Sequence, residues 1–228
     1  MNGIKTQPWM ALVNEFRRRC TFKNRLATQA VVLIILLWYG VQIGVVLLGW
    51  SVEQFQWAFT TESFPEFSPG LVLAIISHDL PPNVTHILGN VAFIWLFAGE
   101  SEQHMRRVEV IGFFVTTALA SVTISTALTG NSTLGASGGA LAFVGFYGTH
   151  LYLVHWDPEE LEAVDHALRK PAKLRAYWRV TMVVIPLAFV VYSVGQYANL
   201  VPVGQVDVIG HLVGLVLGIV YAVARTVR

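Results

Sequence analysis

Gly135-Ala136-Ser137-Gly138-Gly139 opens a long apolar segment that runs to about His155. A serine stands there between glycines, where a helix in lipid ordinarily carries Leu or Val. Glycine lets another backbone approach closely and leaves a neighbouring hydroxyl unshielded. Taken alone, the stretch reads as tight helix packing, because small residues are the usual interface between membrane helices. His211 adds a second reading. It lies in a separate apolar segment with its own glycines, Gly210, Gly214 and Gly218.

Composition sets the solvent. Of 228 residues, 54% are apolar and 13% charged, against roughly 25% charged in an average soluble domain. One water-soluble core cannot hide so much apolar surface, so the expected class is an all-α membrane protein. The net charge of +1 gives no case for nucleic acid. Cys20 is the only cysteine, which excludes an internal disulfide. No Cys/His spacing resembles a structural zinc site. The basic run Arg17-Arg18-Arg19, with Lys23 and Arg25, follows a long polar stretch. It does not read as a cleavable signal.

Six apolar segments follow, at about 28–49, 84–99, 108–128, 137–155, 179–198 and 208–224. Residues 1–27 read as a basic cytoplasmic arm and 225–228 as a cytoplasmic tail, leaving 28–224 as one membrane domain. Between the first two segments, 50–77 is rich in aromatics and contains Glu53, Glu62 and Glu66 but no Lys or Arg. It reads as half-embedded in the headgroup layer. Pro81-Pro82 mark a turn, and Pro186 a kink in the fifth segment. With both termini inside, every Lys and Arg falls in the arm, the 2–3 loop, the 4–5 loop or the tail. That distribution selects the topology. Trp156 and Trp178 read as interface anchors.

Polar groups inside the spans carry the functional signal. His86 and Asn90 are spaced i, i+4 on one helical face. From His86 to Glu100, and from His211 to Arg225, is fourteen residues, or ~21 Å of helix. Both histidines therefore belong near one depth, on the outer side of a ~30 Å hydrocarbon core. Ser137 enters from that same side. The face Ser137, Leu141, Gly145, Gly148 and the face His211, Gly214, Gly218 are each rich in glycine. Packing them together would bring Ser137 to His211. A serine hydroxyl needs a base to become nucleophilic, and histidine is suited to the task. His86, Asn90 and the Ser137 backbone N–H would then stabilise an oxyanion. No span carries an acid able to orient His211. Asp207, four residues earlier, points to the outer turn, so the expected unit is a dyad. His78 reads as a solvated loop histidine, His104 as cytoplasmic surface, and His150 as a headgroup contact.

These residues resemble the rhomboid family of intramembrane serine proteases. The resemblance rests on Gly135-Ala136-Ser137-Gly138, His86-Ile87-Leu88-Gly89-Asn90, and Gly210-His211-Leu212-Val213-Gly214 with Gly218. Asp207 and Glu102 also fit, and the match runs from about His78 to Ile219. It implies a six-transmembrane-helix rhomboid-like bundle with both termini cytoplasmic. Ser137 would be the nucleophile and His211 the general base. His86 and Asn90 would line the oxyanion hole, with Gly135, Gly138, Gly214 and Gly218 as supporting glycines. It further implies a membrane-embedded loop at 50–77, substrate access controlled by the fifth span, and single-span membrane proteins as substrates. No cofactor is implied, and the setting is a multi-pass protein of a prokaryotic cell membrane. Three departures stand out. Trp50 and Trp57 have no neighbouring Arg, Leu141 occupies a position that is often aromatic, and the stretch from His78 to His86 is longer than usual.

Two other functions compete. A non-catalytic relative would bind membrane helices without cutting them, but would ordinarily lack Ser137 or His211. A transporter would show paired broken helices and internal symmetry, and neither is evident. A zinc or aspartyl intramembrane protease is excluded by the absence of His-Glu-x-x-His and of paired intramembrane aspartates.

Overall fold

The computed structural model describes residues 24–61, 68–81, 83–155, 191 and 207–226, with backbone only for 151–155. The arm up to residue 23, the basic 4–5 loop, the fifth segment with Pro186, and the last two residues lie outside the described residues. Among the described residues the fold is helical and contains no strand.

Helix α1 spans Leu26–Leu47. Its first turn has no side-chain cap of its own. A carboxylate from elsewhere does that work: Ala27 N–H and Thr28 N–H donate to Glu102, and so does the Thr28 hydroxyl, at 2.8–2.9 Å. An anion at a helix start satisfies orphan donors and complements the helix dipole. Beside it, Arg25 donates to Glu100 at 2.6 Å and to the Trp95 carbonyl at 2.7 Å. Arg25 is buried, so it belongs to the bundle rather than to the basic arm assigned from sequence. The reason is that Glu100 and Glu102 lie inside the protein and need partners.

The connection after α1 is structured. Helix α2, Val52–Phe59, starts on a reciprocal cap between Ser51 and Gln54. Helix α3, Gly70–Leu73, runs into a 3₁₀ turn at Ala74–Ile76. A Cβ on Gly70 would overlap the Thr60 carbonyl. Thr61 bonds to Thr126 and Thr133, tying this connection to the loop that leads into Ser137.

Helix α4, Val84–Phe93, continues through a π turn, Ile94–Ala98, into α5, Gly99–Ser101. The wider π turn re-phases one half of the segment against the other. Helix α6 is Arg107–Thr129 and ends at Gly130, whose φ of 69° makes the left-handed stop. Helix α7 is Ser137–His155 and α8 is Val208–Thr226.

The core lies around α7. Every residue from Ala140 to Tyr147 is buried. On one side α7 meets α8 through glycines. A Cβ on Gly214 would overlap the Gly138 carbonyl, one on Gly218 the Ala142 carbonyl, and one on Gly145 the Leu215 carbonyl. On another side it meets α6, where Gly138 faces Ser121 and Gly139 faces Phe114. Below the glycines, Phe113, Phe143, Phe146 and Tyr221 pack ring to ring. Among the described residues, three helices, α1, α6 and α8, are long and apolar enough to cross a membrane. The outward faces of α1 and α8 carry exposed Leu33, Leu37, Leu47, Val216 and Val220. Such faces are stable in hydrocarbon and costly in water.

Candidate active site

The site is built around the start of α7. Gly135 has φ of 126°, a conformation L side chains rarely adopt. Its N–H donates to the Ala74 carbonyl at 2.9 Å, pinning the loop to the 3₁₀ turn. The first intrahelical bond runs from Ala140 N–H to the Ala136 carbonyl. The N–H groups of Ser137, Gly138 and Gly139 thus form the open first turn of a helix, a place suited to negative charge. Ser137 is half-buried and lies between buried Ala136 and Gly138.

The glycine contacts bring His211 to this point. A Cβ on Gly138 would stand 3.4 Å from the Gly210 carbonyl, and Gly214 lies against Gly138 itself. The residues flanking Ser137 therefore touch the residues flanking His211. His211 is buried. Its helix is started by Asp207, whose carboxylate accepts from Gly210 N–H at 2.8 Å and from the Ser125 hydroxyl. Asp207 thus caps α8.

His86 and Asn90 converge on the same loop. A Cβ on Gly135 would stand 3.0 Å from His86 Nε2 and 3.7 Å from Asn90 Nδ2. Glycine is required there by the backbone angle and by the two side chains above it. The His86 ring also lies within electrostatic reach of His211.

His78 corrects the sequence reading. It is fully buried, not a solvated loop residue. Its N–H donates to Gln42 Oε1 at 3.0 Å, and Gln42 Nε2 donates to its carbonyl at 3.3 Å. Its Nδ1 lies 3.2 Å from the Ile76 carbonyl, which can only accept. That fixes the proton on Nδ1 and leaves Nε2 to accept from Asn90 Nδ2 at 2.9 Å. Burial pushes the His78 imidazole down to about 4, with repulsion from His86 adding, so the ring is neutral. Gln42 was a legible signal: an amide in an otherwise apolar helix needs a buried partner.

Asp79 is the other residue the sequence did not single out. Its Oδ2 accepts from His86 Nδ1 and from Asn83 Nδ2, each at 2.9 Å. The bond from His86 holds its carboxyl below the usual range, against the opposing effect of partial burial.

At the other end of the bundle, His104 and His150 differ from their sequence reading as surface and headgroup residues. Both are half-buried, their rings 4.6 Å apart, with His150 stacked on Phe146. Leu141, at the position often aromatic, is buried. Among the described residues no cluster of three or more His, Cys, Asp or Glu is placed to hold a metal ion.

No individually curated protein matches the chain. A family model does. The model described as "Rhomboid domain" matches residues 70–227, a range that takes in Ser137, the His86/Asn90 pair and His211. On that match and on its lipid-facing helices, this integral membrane protein belongs to the rhomboid family.

Proposed function

We propose that the protein is an intramembrane serine endopeptidase that cuts single-span membrane proteins near the outer end of their transmembrane segment. The observation that carries the reading is the convergence at Gly135–Gly138. One helix start presents a hydroxyl and open N–H groups, with His86 and Asn90 above it and the glycine-packed turn of His211 beside it.

In this reading His211 takes the proton from Ser137 Oγ as the hydroxyl attacks the scissile carbonyl. The oxyanion forms against the Ser137 N–H, Asn90 Nδ2 and His86 Nε2. His211 then returns the proton to the leaving amine. Water repeats the sequence on the acyl-enzyme and frees Ser137. Asn90 keeps a second N–H for the oxyanion, since one bond from its Nδ2 goes to His78. The full bundle in this proposal has six spans with both termini cytoplasmic, and the bilayer is its working environment.

The test uses purified protein in detergent with a fluorescent single-span substrate. The parent is expected to cleave, and Ser137→Ala and His211→Ala are expected to show no measurable activity. Asn90→Ala is expected to be slower by ~10- to 1000-fold. Equal rates in parent and Ser137→Ala would end the proposal.

A further inference from the structure

In the long stretch from His78 to His86, the described residues on either side of position 82 are joined by hydrogen bonds next to Gly135. Asn83 N–H closes a turn on the Leu80 carbonyl, and Thr85 Oγ1 donates to Asn83 Oδ1. Asn83 Nδ2 in turn holds the Asp79 carboxylate that receives His86 Nδ1–H. These residues therefore form a connected set of bonds whose end is the imidazole over Gly135.

This arrangement decides which nitrogen of His86 can act. A carboxylate only accepts, so the His86 proton sits on Nδ1. In a neutral ring that leaves a lone pair on Nε2, the atom that faces Gly135. A lone pair repels an oxyanion. His86 can donate from Nε2 only as an imidazolium, with both nitrogens protonated. An imidazolium in a half-buried site needs a nearby negative charge. Among the described residues the ionisable groups facing His86 are Asp79, His78 and His211. His78 is held neutral by its two hydrogen bonds, His211 must be neutral to act as base, and Asn90 carries no charge. Asp79 is the one anion among them.

We propose that Asp79 is a positioning residue for oxyanion stabilisation: it turns His86 Nε2 toward Gly135 and balances the charge His86 must carry when it donates. The proposal rests on the functional reading above and adds a residue to it. Asp79 touches neither nucleophile nor substrate. It acts through His86, and the lengthened connection exists to hold it.

The experiment compares parent, Asp79→Asn, His86→Ala and the double variant in the detergent cleavage assay across a pH series. Asparagine keeps an oxygen to accept from His86 and removes the charge. Asp79→Asn is expected to lower kcat by ~10- to 100-fold with KM nearly unchanged. The alkaline limb of its kcat/KM profile is expected to move to lower pH. In the His86→Ala background, Asp79→Asn is expected to cost nothing further. Asp79→Ser removes the same charge and serves if Asp79→Asn does not fold. An unchanged kcat with an unmoved profile overturns the proposal, and so does an equal extra loss in the His86→Ala background. A parent with no Ser137-dependent cleavage is a different result, since it ends the functional reading itself.

Discussion

At the scale of single residues, His78 shows how a buried imidazole can serve by staying neutral. Its Nδ1–H is spent on Ile76 and its Nε2 on Asn90, so protonation would break the bond that orients Asn90. The folded ring titrates at about 4, while an unfolded histidine titrates near 6.5. Between those values the unfolded chain takes up a proton that the folded one refuses. Stability therefore falls as pH drops through that window and levels off below it. His78→Gln is expected to remove this component. Thermal unfolding in detergent across the window would show a flatter pH dependence than the parent. The variant would also be less stable at neutral pH by ~1–3 kcal/mol for the unsatisfied buried groups. Ser137, His211, His86 and Asn90 were legible because each is a polar group that lipid penalises at a spacing that fits helix geometry. His78 and Asp79 were not, because a loop histidine and a loop aspartate beside prolines look solvated until their partners Gln42, Asn90 and His86 are seen.

At the scale of elements, the α7–α8 contact makes a sharp distinction among glycines. Gly214 and Gly218 lie against backbone carbonyls, whereas Gly112 on α6 has nothing near the place a Cβ would occupy. Gly218→Ala and Gly214→Ala are expected to force the helices apart. The expected cost is ~1–3 kcal/mol in unfolding free energy, with loss of cleavage, because the same contact brings the residues flanking Ser137 to those flanking His211. Gly112→Ala is expected to be neutral or to stabilise by up to ~1 kcal/mol through helix propensity. Steric trapping or denaturant unfolding of the three variants would check the contrast. The glycine face of α8 could be read from its spacing. On α7 the contact falls on Gly138, Ala142 and Gly145, which shares only Gly145 with the expected face of Ser137, Leu141, Gly145 and Gly148, and Gly148 has nothing near it. The π turn at Ile94–Ala98 could not be read, since nothing in Ile-Trp-Leu-Phe-Ala departs from an ordinary apolar helix. The burial of Arg25 was also hidden, because its partners, the Trp95 carbonyl and Glu100, lie 70 and 75 residues away in the chain.

At the scale of the whole molecule, the charge pattern of the sequence predicts one orientation. Exposed Asn131 precedes the serine helix, and exposed Gln103 follows the second apolar segment. In a protein with Cys20 replaced, Asn131→Cys is expected to react with an impermeant maleimide on intact cells. Gln103→Cys is expected to react only after the membrane is opened. The reverse pattern would invert the topology. Apolar segment length carried the helical membrane class in the sequence, and the one-sided placement of Lys and Arg carries the expected orientation. Apart from the glycine contact of the fourth and sixth segments, contact between segments was not carried there, because lipid and protein present the same apolar surface to a helix.

Helix α1 contributes no reacting group, yet it is fastened at two heights. Glu102 and Glu100 grip its first turn and Arg25, and Gln42 grips the backbone of His78. From Arg25 to Gln42 is seventeen residues, or ~26 Å along the axis. The helix is thus a strut of fixed length, tied at one end to a carboxylate pair and at the other to the imidazole that aims Asn90. A bilayer that stretches or squeezes the protein would load that strut, and any give in it would pass through His78 to Asn90.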